Sequence, residues 1–380
     1  MLNIDYLLNN IEAIDHRTTH NKNKHKIYLS GDILCSAHIF MLLEHIKFIE
    51  INNIKNINIS VIINTRAFSD EAVLIMLEII TYYIMKNNIG DLTYTFIVSN
   101  KYLGYEMFKN NMLFPYNTKR INSTAYVSAF EKKCIISSNH YRRIAINNEE
   151  NRNGPYLSIL IGDISTFLKY YNVDKNYVND LSEAIVEIVD NALNHSTSDC
   201  LLDIKVLDYR PSSYMCLNVT VISIGDILIN TEINKYIEST DKSKYSEKNE
   251  IILTALQNHK KHFSSNYDIE SFATVSAFQK YVTTRYKSKN SGGTGLTTLI
   301  KQLHEKASSD YCYVLSGNNI IKFVEGYLDL TETGLIGFNK SNDYINSIPS
   351  PEIVCKTEKK FNGVIYNLCF ILDEKENNNE

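Results

Sequence analysis

The sequence predicts an α/β protein made of two α/β parts. In residues 1–148, apolar and β-branched runs alternate with stretches whose apolar residues recur every three or four positions. In residues 149–380, a strongly amphipathic helical stretch is combined with apolar, strand-like runs. Strands and helices in this mixture are typical of a parallel or mixed sheet that is covered on at least one side.

The N-terminal part is predicted element by element from these runs. The order is strand, helix, strand, helix, strand, at residues 26–30, 37–49, 57–64, 70–85 and 92–98. Ser69, which precedes two acidic residues, is predicted to be an ordinary N-cap of the second helix. Residues 110–150 read as an irregular connector, and the boundary between the two parts is expected at about residue 148.

A predicted helix at residues 183–195 of the C-terminal part carries two different faces. Glu187, Asn191 and His195 lie four residues apart on one of them. A carboxylate can orient water or accept a proton, and an amide oxygen is a ligand that Mg²⁺ takes beside phosphates. An ordinary solvated face is the alternative interpretation of this stripe. The apolar residues predicted to be buried are Leu181, Ala184, Ile185, Ile188, Val189 and Ala192.

A glycine cluster roughly a hundred residues later leads directly into another amphipathic helix. Its residues are Gly292, Gly293, Thr294, Gly295 and Leu296. Glycines let phosphate oxygens approach the backbone closely, and a helix N-terminus supplies unpaired N–H groups. The cluster is not a P-loop, because no Gly-Lys-Ser/Thr follows it. It is predicted either to hold phosphate groups or to form a simple turn.

Together, the two segments resemble the motifs of the GHKL ATPases, the superfamily of histidine kinases, gyrase-type ATPases, Hsp90-type chaperones and anti-sigma-factor serine kinases. The stretch from Glu187 to His195 is similar to the N box, and the glycine cluster is similar to the G2 box. Residues 361–372 resemble the glycine-led strand that closes this domain. The resemblance, which is greatest to the anti-sigma-factor kinase type, implies a two-layer α/β sandwich whose mixed sheet has helices on one face.

The resemblance also implies a role for each motif residue. Glu187 would be the general base or the carboxylate that orients water, and Asn191 would be the Mg²⁺ ligand. His195 would lie beside the phosphates, or would interact only with the C-terminal dipole of its helix. The glycine cluster would hold the phosphates. ATP and Mg²⁺ are therefore the expected cofactors, bound by a domain at residues 149–380 with a lid at residues 230–292.

One element departs from the family pattern. The family carries Asp-x-Gly-x-Gly after a strand, whereas the strand at residues 217–229 contains Ser223, Gly225 and Asp226, with Ile227 where the second glycine is expected. A serine hydroxyl can accept a hydrogen bond from the adenine amine, but the neutral bond is weaker by about 1 kcal/mol. Asp226 would substitute only if the turn were remodelled. A site that binds nucleotide weakly, or not at all, stays open.

The segment before the glycine cluster is expected to form the lid. Helices are predicted in it at residues 247–259 and 269–286. Lys287 and Lys289 border the cluster, where each reads as a residue of a solvated loop or as a contact for the γ-phosphate. Residues 331–360 are polar and contain two prolines, so they read as an insertion before the last strand.

A second, fainter resemblance concerns residues 58–72, which are similar to STAS domains, where a strand leads into a serine at the next helix start. In STAS domains of anti-sigma antagonists that serine is the phosphorylation site. The resemblance gives Ser69 this role as an alternative to helix capping. The chain would then combine a kinase-like module with a substrate-like module.

Composition and charge exclude several classes of function. A net charge of −4 and a pI near 6.2 give no basic surface for nucleic acid. The longest apolar stretch, at residues 72–85, is interrupted by Glu78 and is too short to span a bilayer. Seven cysteines without a Cys-x-x-Cys pair are typical of reduced thiols in a cytosolic protein. The chain is therefore expected to be cytoplasmic, with no membrane partner.

The expected function is that of a Mg-ATP-binding regulatory protein. It would act on a protein partner as an ATP-gated switch, as a protein-serine kinase or as a slow ATPase. The histidine-kinase branch is disfavoured, because His140, the nearest histidine with basic neighbours, is not flanked by a predicted helical hairpin. The alternative is a catalytically degenerate protein of the same fold that serves as an interaction scaffold. A homodimer is left open.

Overall fold

The protein, described here from a computed structural model, has an α/β fold with one parallel sheet and one mostly antiparallel arrangement of strands. The structure describes residues 2, 4–9, 11–13, 24–98, 107–153, 155–171, 173–195, 198–208, 215–225, 229–242, 249–280, 299–303 and 312–372. Two compact units divide the chain. The N-terminal unit contains residues 3–144 and 203–213, and the C-terminal unit contains residues 1–2, 145–202 and 214–380.

The N-terminal unit contains a three-stranded parallel sheet in the order β1-β2-β3. Every element predicted for residues 26–98 is present, and each strand is longer than predicted. The elements are β1 at Lys24–Leu34, α1 at Ser36–Ile51, β2 at Ile57–Phe68, α2 at Glu71–Lys86 and β3 at Gly90–Val98.

Helix α2 is buried along almost its whole length. All residues from Glu71 to Met85 are buried, which explains why this stretch is apolar on every side. Its N-cap is Asp70, whose side chain accepts a hydrogen bond from the Val73 N–H at 3.0 Å. The predicted cap, Ser69, is wrong by one residue. Ser69 instead donates its hydroxyl to Asp70 at 2.9 Å and so supports the cap.

Residues 110–150 are not the irregular connector that their polar sequence predicts. They form a short 3-10 helix at Phe114–Tyr116, α3 at Ser123–Phe130 and the antiparallel pair β4 at Cys134–Ile136 and β5 at His140–Ala145. Aromatic packing stabilises these short elements, because Tyr126 and Phe130 are buried and Phe130 stacks on Tyr82 at 4.4 Å. Such contacts leave no periodic signal in a short segment.

The C-terminal unit contains helices and a mainly antiparallel sheet. Its helices are α4 at Glu149–Asn153, α5 at Tyr156–Lys169, α6 at Lys175–His195, α7 at Thr231–Glu238, α8 at Glu250–His259 and α9 at Ile269–Ser276. Its strands are β7 at Met215–Ile224, β8 at Tyr313–Ser316, β9 at Asn319–Lys322, β10 at Val354–Lys356 and β11 at Gly363–Leu372, in the order β10-β9-β8-β11-β7. Strand β6, at Cys200–Asp208, follows β7 in the sheet order and is divided between the units after residue 202.

One prediction for the C-terminal unit needs correction. Helix α9 ends at Ser276 rather than at residue 286, and turns follow it to residue 280. The polar stretch 331–360 is packed against the rest of the unit. Tyr344 is buried and stacks on Phe272, and its hydroxyl forms a 2.7 Å hydrogen bond with the hydroxyl of Ser276. Asn339 organises this stretch by donating to the carbonyls of Gly337 and Asp343. A hydrophilic sequence here therefore serves internal hydrogen bonds.

Within the described part of the chain, none of the helices has the length and apolar character that crossing a bilayer requires. All seven cysteines are free thiols.

Candidate functional site

The predicted polar stripe lies on one continuous helix, α6. Leu181, Ile185 and Ile188 are buried as predicted, and Ala192 is half-buried. Glu187 and Asn191 are both half-buried and lie one helical turn apart. His195 is the last residue of α6, and its side chain lies outside the described residues. The helix thus presents a carboxylate and an amide from the border of a buried face.

Helix α6 is fixed against α5 by apolar packing and by a pair of serines. Ser182 is fully buried and donates its hydroxyl to the Val178 carbonyl at 2.6 Å. The same hydroxyl accepts from Ser165 of α5 at 3.1 Å. Because the buried serines satisfy one another, the helix pair has a defined rotation. That rotation determines which residues of α6 face outward.

The end of strand β7 lies close to the end of α6. Ser223, on β7, is 5% exposed, and its hydroxyl oxygen is 3.2 Å from that of Ser198. Ser198 follows His195 by three residues, a length of chain that spans at most about 10 Å. The predicted adenine-contacting serine and the last turn of the N-box helix therefore belong to one region of the C-terminal unit.

Strands β7 and β11 approach each other closely beside Ser223. The Gly225 N–H donates to the Asn362 carbonyl at 3.0 Å, and Gly363 pairs with Ile224. Gly363 has a φ of +147°, and a Cβ atom there would collide with the carbonyl oxygen of Ser223. Glycine is therefore required at this position for both its backbone conformation and its lack of a side chain. The glycine-led strand predicted from the sequence is present, and this contact gives its physical reason.

A buried carboxylate next to this region was missed by the sequence analysis. Asp199 is 5% exposed and accepts a hydrogen bond from the Asn147 backbone N–H at 2.8 Å. The Asn147 side chain donates in turn to the Ser198 carbonyl at 3.2 Å. These bonds fix residues 198 and 199 between α6 and β6. The signal available in the sequence was a Ser-Asp pair directly before an apolar, strand-like run, where polar side chains need hydrogen-bond partners if they are buried.

Glu187 and Asn191 of α6 carry oxygen atoms of the kind that can bind Mg²⁺. An amide oxygen and a carboxylate, both accessible in part, are hard oxygen ligands, and Mg²⁺ is usually held by one or two protein groups together with phosphate oxygens.

The other predicted site residues lie outside the described residues. They are Asp226 and the glycine cluster of Gly292, Gly293, Thr294, Gly295 and Leu296, and the same holds for Ile227, Lys287 and Lys289.

The N-terminal unit contains a buried charged cluster that the sequence analysis also missed. Arg142 of β5 is fully buried and bonds Asp203 of β6 from Nε at 2.5 Å. A second Arg142 nitrogen donates to Glu78 of α2. His140 lies 2.9 Å from the same oxygen of Asp203, and Lys205 donates to Glu71 at 2.8 Å. The buried charged cluster consists of six residues: Glu71, Glu78, His140, Arg142, Asp203 and Lys205.

Opposite charges outweigh the effect of burial on the pKa values of Asp203 and Lys205. Burial alone would raise the pKa of Asp203, but Arg142 and His140 outweigh it and hold that pKa well below its usual range. Burial likewise opposes the charge on Lys205, but Glu71 and Asp203 raise its pKa above the ordinary value. Charged residues at alternate positions of two strand-like runs were the available signal. His140 thus serves as a hydrogen-bonding neighbour of Asp203 in this structure.

The predicted site residues fall into two groups. Glu187, Asn191, Ser223 and Gly225 lie in the C-terminal unit, on α6 and at or just after the end of β7. The glycine cluster would complete the predicted phosphate site, and it lies outside the described residues. Comparison of the chain with protein-family models, with curated proteins and with solved structures returned no match in any of the three searches.

Proposed function

We propose that the C-terminal unit binds Mg-ATP and acts as an ATP-dependent switch on a protein partner, by protein-serine phosphorylation or by slow hydrolysis. The observation that carries the proposal is the Ser198–Ser223 contact at 3.2 Å, because it joins the end of the N-box-like helix to the end of the strand expected to meet the adenine. Both motifs were assigned from the sequence by resemblance to GHKL ATPases. The proposal extends to a cytoplasmic location.

Each residue of α6 has a distinct part in this proposal. Asn191 would supply an amide oxygen to Mg²⁺, and the chemistry that the ion would contribute is neutralisation of phosphate charge. Glu187, one turn earlier, orients the attacking water or hydroxyl group and accepts its proton. Both side chains are half-buried, so a ligand can reach them, and the helix that carries them is fixed by its packing. Positioned groups of this kind are what phosphoryl transfer needs from the protein.

Isothermal titration calorimetry with Mg-ATP tests binding. We expect Asn191→Ala to weaken the Mg²⁺-dependent affinity by about tenfold or more, because the metal loses a ligand. Asn194→Ala is the matched control, since Asn194 is exposed on the same helix and its amide bonds Asp190. Absence of heat for the wild-type chain at about 1 mM ATP would contradict the proposal.

A turnover assay tests the role of Glu187. We expect Glu187→Ala to retain nucleotide binding and to lose about 100-fold or more in phosphoryl transfer or hydrolysis, because a positioned base is removed. Glu183→Ala is the control, because Glu183 is an exposed glutamate one turn earlier on the same helix. Equal losses in the two variants would remove the assignment of Glu187 as the base.

A scaffold without nucleotide chemistry is the second candidate, and one observation favours it. Ser223 is almost completely buried, and its hydroxyl already has a hydrogen-bonding neighbour in Ser198. Ser223→Asp restores the acidic residue of the family pattern. A gain in ATP affinity supports a nucleotide-shaped site that has been weakened, whereas unchanged affinity in a folded variant favours the scaffold. The ATP affinity of Ser198→Ala is measured as well, because this variant loses the contact between the two hydroxyls without gaining a charge.

A further inference from the structure

Strand β1 is a long edge strand whose outer side is open in the described part of the chain. The opposite edge of the same sheet, β3, is covered by residues 117–121, since Thr118 N–H donates to Tyr94 at 2.7 Å and Ile121 N–H donates to Leu92 at 3.0 Å. Strand β1 has eleven residues and pairs only with β2 among the described strands. Long unpaired edges are templates for pairing with another chain.

The exposure of β1 is greatest in its second half. All four residues from Ser30 to Ile33 are exposed, and Ile33 and Tyr28 are each about half accessible to solvent. The two side chains are apolar or aromatic, so their exposure is costly for a strand that stays unpaired. His38 Nε2, 3.3 Å from the Ser30 carbonyl, is an exposed contact on this stretch that a neighbouring strand can replace.

The charges on β1 are arranged so that the strand is complementary to itself. Lys24 and Lys26 are exposed near its start, and Asp32 is exposed near its end. A parallel copy in register would place like charges opposite each other, which is unfavourable. An antiparallel copy centred on Leu29 places Lys26 opposite Asp32 twice, once on each side of the two-fold axis. The side chain of Asp32 is 80% exposed in its pair with Arg66, so that pair is weak and leaves the carboxylate accessible.

The same register matches the two faces of the strand. Pairing about Leu29 sets Tyr28 opposite Ser30 on the exposed face, and Ile27 opposite Gly31 on the other. Leu29, at the centre of this register, is fully buried on the face that packs against the helix layer, so only its backbone is available to the second copy.

We infer that β1 is the interface for a second copy of this chain, which pairs antiparallel with it and extends the three-stranded sheet to six strands. The inference does not depend on nucleotide binding, because every residue it uses lies in the N-terminal unit. The interface is small and partly electrostatic, so the dimer forms in a concentration-dependent and salt-dependent way.

Sedimentation equilibrium of the full chain over a range of concentrations tests this inference by charge exchange. Lys26→Glu and Asp32→Lys each replace two opposite-charge pairs by two like-charge pairs, and we expect each to raise the dimer dissociation constant about tenfold. The double variant restores opposite charges with exchanged positions, and its constant returns to near the wild-type value. Lys24→Glu is the matched control, because Lys24 faces Leu34 in this register and has no acidic residue directly opposite it, so we expect a smaller effect.

Two results would overturn the inference. If the wild-type chain sediments as a monomer at about 100 µM, the dimer dissociation constant is too high for β1 to be an interface in solution. A dimer that responds equally to Lys24→Glu, Lys26→Glu and Asp32→Lys, or that the double variant does not restore, uses another surface. All three substitutions are at exposed positions, and circular dichroism of each variant verifies that its fold is intact.

Discussion

At the scale of single residues, the most consequential side chain in the N-terminal unit is Asp203. One of its oxygens accepts from both Arg142 and His140, and the other lies 3.9 Å from Lys205. A buried ion pair is not by itself a large source of stability, because desolvation opposes the attraction between its charges. Removing one partner is nevertheless costly, since it leaves the others charged and buried.

Substitution of Asp203 therefore has a definite expected result. Asp203→Asn is expected to lower the free energy of unfolding of the N-terminal unit by about 3–5 kcal/mol, because Arg142 loses a charged partner inside the protein. Urea denaturation followed by circular dichroism measures the loss. Asp91→Asn is the control, since Asp91 pairs with Arg120 at the surface and its removal is expected to cost less than about 1 kcal/mol. Similar losses in both variants would show that burial has little effect here.

His259 gives the C-terminal unit a predictable response to acid. It is buried between Tyr267, whose hydroxyl is 2.7 Å from Nδ1, and the Tyr344 carbonyl, 2.8 Å from Nε2. Burial lowers the pKa of His259, and the Tyr344 carbonyl offsets this only in part. Because the folded pKa lies below the unfolded value near 6.5, the stabilising effect is complete above about pH 6.5 and is lost as the pH falls through the folded pKa.

The expected outcome is a urea midpoint that decreases from pH 7 to pH 5 more in the wild-type chain than in His259→Gln. The glutamine does not titrate, so its variant loses the contribution of this residue to the pH dependence while being less stable at pH 7. His262→Gln removes an exposed imidazole nearby and is expected to keep most of the wild-type slope. Parallel slopes for wild type and His259→Gln would assign the acid response to other groups.

At the scale of elements, the start of α2 shows how local signals can be read one residue out of place. Ser69, Asp70 and Glu71 are all suitable at a helix start, and only the β-region backbone of Asp70 identifies the cap. We expect Asp70→Ala to destabilise the N-terminal unit by about 1 kcal/mol and Ser69→Ala by less. Urea denaturation of the two variants measures the difference. A larger effect at Ser69 would place the cap where the sequence first suggested it.

Two glycine substitutions are expected to act with opposite sign. Gly363→Ala adds a Cβ against the Ser223 carbonyl at a φ of +147°, so it is expected to lower stability and disturb the end of β7. Gly162→Ala lies within α5, where no atom is within 4 Å of the added Cβ. It is expected to raise stability by about 0.5–1 kcal/mol. Thermal unfolding of both variants measures the contrast, and a stabilised Gly363→Ala would exclude the close approach of β7 and β11.

Long and strongly patterned elements were predictable from the sequence, and short ones that depend on distant partners were not. Helices α1, α2 and α6 carry enough apolar positions to be recognised. Strands β2 and β3 carry apolar residues at mostly alternate positions, and β11 carries a nearly continuous apolar run. Helix α3 and the β4–β5 pair depend on Tyr126, Phe130 and the buried Arg142, whose partners are far away in the chain. No local window contains that information.

The same limit applies to the candidate site. The four-residue spacing of Glu187 and Asn191 could be read directly, because a helix converts spacing into proximity. The contact of Ser223 with Ser198 joins residues that are 25 apart in the chain and depends on the packing of the sheet, so it could not be predicted from the sequence. Asp199 was missed for the same reason, since its partner Asn147 is 52 residues away.

At the scale of the whole molecule, the two units are not consecutive in the chain. Residues 203–213 belong to the N-terminal unit, although residues 145–202 belong to the other unit. A fragment of residues 1–148 therefore lacks Asp203 and Lys205 and leaves Arg142 and Glu71 without these buried partners. We expect that fragment to be insoluble or to unfold without cooperativity, and a fragment of residues 1–213 to be more soluble. Size-exclusion chromatography compares them, and a folded, monomeric 1–148 fragment would contradict this expectation.

The division of β6 also has a consequence for synthesis on the ribosome. Arg142 is translated 61 residues before Asp203, which takes several seconds at about 5–20 residues per second. During that interval Glu78 is already present as a partner for the Arg142 guanidinium, but Asp203 is not. The N-terminal unit therefore cannot be completed until all of helix α6 has been synthesised, so its folding overlaps with synthesis of the C-terminal unit.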